Sequence, residues 1–63
     1  MNEFVAKGSR QVDLCMRMLF DESIDFKVVP QLDDKERVYY IVRVTVDTQT
    51  YTRLANRYKK LIR

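Results

Sequence analysis

Residues 37–46 read RVYYIVRVTV, ten residues with no Gly, Pro, Asn or Asp among them. Val38, Tyr40, Val42, Val44 and Val46 recur at a period of two, which puts them on one face of a β-strand. Tyr39, Ile41, Arg43 and Thr45 fall on the other face. β-Branched and aromatic side chains suit a pleated, packed surface, so the segment predicts a strand. One face is wholly apolar and the other half apolar, as expected of a central strand with helices on one side only.

Working outward, the N-terminal side alternates again. Ile24, Phe26 and Val28 point inward and Asp25, Lys27 and Val29 outward, with Pro30 closing what must be an edge strand. Gln31–Glu36 is then a charged, solvated hairpin loop, without the glycine and ligand spacing of a calcium-binding loop. Upstream, from Arg10 to about Glu22, the period becomes helical. Val12, Cys15, Met16, Leu19 and Phe20 share one face, while Leu14 and Met18 form a second apolar patch on its flank. Ser9 reads as the N-cap, after a Gly8 break. Phe4, Val5 and Ala6 predict a short first strand. On the C-terminal side, Asp47 or Thr48 caps a helix in which Tyr51, Leu54, Ala55, Tyr58, Leu61 and Ile62 follow the i, i+3, i+4, i+7 pattern.

The order is therefore β-α-β-β-α, an α+β fold. Hairpin pairing and the right-handed crossover place the Arg37–Val46 strand between the other two. The expected sheet is three-stranded and antiparallel in the order 1-3-2, with both helices on one face: a ferredoxin-like arrangement without its last strand. That last strand would have paired with Asn2–Ala6, so the edge of the first strand is expected to be open unless a second copy covers it, and dimerisation can use this edge or the sheet faces. The inward register predicts a core containing Leu19, Phe26, Val42, Val44 and Leu54.

A strand leading into KGSRQVDLCMRMLFDESIDFKVV, then YYIVRV, then a closing helix from DTQTYTRLANRY resembles the small bacterial signal-transducing domains of the PII and ACT-like group. The resemblance covers most of the chain through the order and pattern of elements. It departs at the hairpin, charged here where those domains use Gly or Pro more freely. It implies a regulatory or sensing role and names no ligand.

Composition narrows the function classes. Sixty-three residues make one domain whose core is marginal, since a chain of this length buries only about 60% of its unfolded surface. One cysteine allows no intramolecular disulfide, and the absence of histidine removes histidine zinc ligands and imidazole acid–base chemistry. Cys15 on an inner helical face reads as a buried small hydrophobe. Two isolated serines offer no nucleophile-and-base pair, so the inventory argues against an enzyme and calls for no cofactor or metal. No leader pattern or membrane-length apolar run is present, which predicts a cytoplasmic protein with no membrane association.

Three candidate surfaces remain. Lys7-Gly8-Ser9-Arg10, where a strand turns into a helix N-terminus, could bind an anion, although an ordinary capped turn has the same sequence. The net charge of +3 is uneven: five basic residues against Asp47 give residues 47–63 a balance of +4, leaving −1 for the first forty-six. Arg53, Arg57 and Lys60 on the last helix, with Arg43 on the sheet, are thus candidate nucleic-acid contacts. The RNP pattern of RNA-binding sheets is missing, which makes nucleic acid the weaker reading. Val5, Val29, Tyr39 and Ile41, predicted on the outer sheet face, are candidate dimer contacts. A domain without disulfide or metal gains most from a second subunit. The sequence therefore points to a small non-enzymatic regulatory or protein-interaction module acting as a homodimer, its protein partner unspecified.

Overall fold

The computed structural model describes residues 2–63. It contains β1 (Asn2–Ala6), α1 (Ser9–Asp21), β2 (Phe26–Leu32), β3 (Val38–Val44) and α2 (Thr48–Leu61). β3 is central, antiparallel to both neighbours, and the sheet order is β1-β3-β2. Phe4 from β1, Val42 and Val44 from β3, Cys15, Met18 and Leu19 from α1, and Leu54 and Tyr58 from α2 form one buried cluster. Both helices therefore cover the same face of the sheet. The α+β arrangement read from the period-two and period-3.6 patterns is the observed one.

The register follows from alternation. Phe4 pairs with Val42 and Val28 pairs with Val42, setting inward residues side by side; Val5 and Val29 both pair with Ile41 on the outer face. The strand boundaries differ from the sequence pattern. β3 is shorter than ten residues, because the chain leaves the sheet after Val44 to reach Asp47, whose carboxylate caps α2 by accepting from the Thr50 amide at 3.0 Å. β2 begins two residues late and runs through Pro30, which is tolerated because β2 is an edge and Pro30 still pairs with Tyr40.

The late start of β2 has a local cause. The Ile24 amide donates to the Leu19 carbonyl at 2.9 Å and the Ser23 amide to the Phe20 carbonyl at 3.0 Å. These two bonds make a Schellman closure of α1, with Ser23 in the left-handed conformation (φ 56°) and Ile24 packed against the core. The hairpin uses the same device: the Glu36 amide donates to the Asp33 carbonyl at 3.0 Å, and Glu36 takes a positive φ of 60°. A tight turn followed by a left-handed residue is the usual three-residue hairpin connection. The Asp33 carboxylate accepts from the amides of Lys35 (2.9 Å) and Arg37 (2.8 Å), so the acidic loop is a turn-former.

Helix packing alters two expectations. Met18, placed on the flank by the sequence, is 1% exposed, and Phe20, placed on the inner face, is 67% exposed. α1 packs against β1, β3 and α2, which turns the Met18 side inward and leaves Phe20 beyond the sheet contact. Phe20 touches only the border of the core, edge-to-face with Phe26 at 5.3 Å. Phe26 is correspondingly half-buried rather than fully buried. Val42, Val44, Leu19 and Leu54 are fully buried as their register predicts.

Candidate functional site

Among the described residues nothing covers the face of the sheet away from the helices. Three rows cross it. The middle row is apolar and spans every strand: Val5, Ile41 and Val29, joined by direct pairing of Ile41 with each neighbour. Val5 is 51% exposed and the other two are half-buried. On one side lies a charged row of Glu3, Arg43 and Lys27, in which Arg43 Nε donates to Glu3 Oε2 at 2.8 Å. On the other side Tyr39 pairs with Gln31, and Lys7, one residue past the last β1 pair, lines the same notch as Tyr39 and Val5. The four candidate contacts Val5, Val29, Tyr39 and Ile41 are thus gathered on one surface, with Arg43 beside them.

The edge of β1 is different from the expected open ladder. Tyr51 Oη donates to the Glu3 carbonyl at 2.6 Å and Tyr58 Oη to the Val5 carbonyl at 3.1 Å. The Lys7 amide donates to Gln11 Oε1 at 2.9 Å. Antiparallel pairing alternates, so Glu3 and Val5 turn their backbone groups away from β3, and α2 supplies hydroxyls where a fourth strand would have supplied amides. Both rings are fixed by packing on Phe4, at 5.1 Å for Tyr51 and 5.6 Å for Tyr58. Burial raises the pKa of the Tyr58 phenol, with a smaller contribution from Cys15, keeping it a donor. The sequence placed both tyrosines on the inner helical face, but their spacing of seven carried no sign of backbone capping. At the other edge, Pro30 removes one donor. Two blunted edges leave the outer face as the larger unused surface of the sheet.

The basic helix is largely occupied inside the domain. Arg53 Nη2 lies 2.7 Å from Glu22 Oε1, and Arg57 reaches Glu22 Oε2 at 3.1 Å and Asp21 Oδ2 at 3.4 Å. Carboxylates at the C-terminal end of α1 oppose its dipole, and the two guanidiniums of α2 offset that charge. The Arg53 hydrogen bond, followed by that of Arg57, holds the Glu22 carboxyl below its usual range despite partial burial. Of the four candidate phosphate contacts, Arg43, Arg53 and Arg57 are paired with acids of the same chain; Lys60 has no ion pair among the described residues.

The turn at Lys7-Gly8-Ser9-Arg10 also differs from expectation. Gly8, not Ser9, occupies the cap position, with φ 145° and no side-chain cap bond; Ser9 is already helical. Glycine supports that φ without strain. Among the described residues no other feature directs a ligand to this helix end. Cys15 is buried, and its thiol is pushed up to about 11 by desolvation, which makes it a poor nucleophile. Among the described residues no group of three or more His, Cys, Asp or Glu is placed to hold a metal ion, and no helix is long and apolar enough to cross a membrane.

Comparison with protein-family models, curated sequences and solved structures finds no match for this chain. An apolar row with an aromatic residue on one side and paired charges on the other has the make-up of an apolar centre with a polar rim.

Proposed function

We propose that this chain is a small non-enzymatic protein-interaction module of a regulatory kind, working as a homodimer through the outer face of its sheet. The observation that carries this reading is the Val5–Ile41–Val29 row, which crosses all three strands on the face that neither helix covers. Apolar surface continuous across a small domain is costly to leave in water and is a mark of contact sites. The regulatory role is the one implied by the resemblance of the chain to PII and ACT-like domains.

The size of the face sets the expected strength. Three strands about 4.8 Å apart and some six residues long give a face of roughly 300 Å² in projection, or about 600 Å² over two copies, below the roughly 1,200 Å² of a standard interface, so the pair is a weak one. A micromolar dimer in exchange with monomer is expected. Sedimentation from low to high micromolar concentration tests this: the parent should move from monomer to dimer, and Ile41→Asp, which sets a charge at the centre of the face, should remain monomeric and folded. A parent that stays monomeric throughout refutes the reading. Nucleic acid is disfavoured because Arg43, Arg53 and Arg57 already face carboxylates. Salt-sensitive retention of a mixed nucleic-acid pool would reverse that preference.

A further inference from the structure

We propose that the two copies meet with their strands reversed, related by a two-fold axis that lies between the sheets, perpendicular to the strands, and passes over the Val5–Ile41–Val29 row. This rests on the homodimer reading above and commits the face to one occupant, a second copy, in one orientation.

Charge complementarity across the three rows distinguishes the possible orientations. Two identical faces packed together have two aligned solutions, since stacked sheets keep their strands within about 30° of each other. An axis along β3 keeps each row opposite itself. It sets Glu3 over Lys27 of the partner subunit, but also Arg43 over Arg43 of the partner subunit, a like-charge contact near the centre of the interface. The axis across the strands exchanges the outer rows instead. Glu3 then faces Lys7 of the partner subunit, and Arg43 lies over the ring of Tyr39 of the partner subunit, an arrangement attractive to a guanidinium. Lys27 meets Gln31 of the partner subunit. Each apolar residue of the middle row meets its own copy. Within these three rows no like charges are opposed, and Lys7, which has no ion pair among the described residues, gains an acid. Opposed like charges in an interface are strongly disfavoured, which selects the crossing axis.

The test uses three charge reversals in the full chain: Glu3→Lys, Lys7→Glu and Lys27→Glu. Circular dichroism first establishes that each variant is folded. Under the crossing axis, Glu3→Lys or Lys7→Glu alone opposes like charges twice in its own dimer, and each should lose at least about tenfold in self-affinity. An equimolar mixture of those two should sediment as a heterodimer with affinity within a few fold of the parent, because every pair is then of opposite sign. A mixture that stays monomeric overturns the orientation. Recovery in the mixture of Glu3→Lys with Lys27→Glu, and not with Lys7→Glu, overturns it in favour of the axis along β3. Neither result touches the homodimer itself, which stands or falls on sedimentation of the parent.

Discussion

Replacing Ser23 by glycine should stabilise the domain, although the substitution removes atoms and adds no contact. Ser23 sits at the left-handed position of the Schellman closure of α1, with φ 56°. The side chain is exposed and makes no hydrogen bond among the described residues, so its loss leaves no cavity and no unpaired group. A residue with a Cβ in this conformation carries roughly 1–2 kcal/mol of steric cost. Glycine removes that cost and gives back about 0.5–1 kcal/mol through the greater freedom of the unfolded chain. At the midpoints of the two ranges the net gain is about 0.75 kcal/mol. In a domain of this size 1 kcal/mol corresponds to roughly 4–8 °C, so the melting temperature should rise by about 3–6 °C. Thermal unfolding followed by circular dichroism, at one fixed concentration so that self-association does not intrude, measures it. Ser23→Val, which forces a β-branched side chain into the same conformation, should move the transition the opposite way. A Ser23→Gly variant no more stable than the parent, or a Ser23→Val variant equal to it, would refute the assignment of strain to this position.

Val42→Ala, at a fully buried site on the central strand, should cost about 1–3 kcal/mol by urea denaturation, a large fraction of the stability of so small a domain. Because the pKa of Glu22 is lowered in the folded state, its stabilising contribution is present above the unfolded value of about 4.3 and is lost as pH falls through the folded value. Glu22→Gln should therefore unfold less steeply than the parent between about pH 5 and pH 3, and an unchanged acid limb would remove the Arg53–Glu22–Arg57 cluster from the stability argument. Tyr58→Phe should cost about 1 kcal/mol by removing the hydroxyl that caps the Val5 carbonyl. Tyr51→Phe/Tyr58→Phe together should expose the β1 edge and produce concentration-dependent sheet association by light scattering; a double variant as well behaved as the parent would mean that the hydroxyls do not protect that edge.

What the sequence determined by itself was periodicity and its consequences. Alternation from Val38 to Val46 identified the central strand and its two faces, and the same alternation put Val5, Val29, Tyr39 and Ile41 on one surface. The i, i+3, i+4 spacing of Leu54 and Tyr58 placed α2 on the core. These features are local, because the angle between successive side chains is fixed by the backbone. Only the tertiary structure decided which side of a wide apolar arc faces inward. Met18 and Phe20 are two residues apart on the same amphipathic helix, and the tilt of α1 toward β1, β3 and α2 buried one and exposed the other. The same holds for the charges. Arg53 and Arg57 read as a free basic stripe because their partners Glu22 and Asp21 lie more than thirty residues earlier, at the end of another helix. The β1 edge closed for the same reason: the hydroxyls of Tyr51 and Tyr58 reach the carbonyls of Glu3 and Val5 across nearly the whole length of the chain. A one-dimensional pattern fixes the face on which a side chain stands, whereas the group it meets there depends on how distant elements pack.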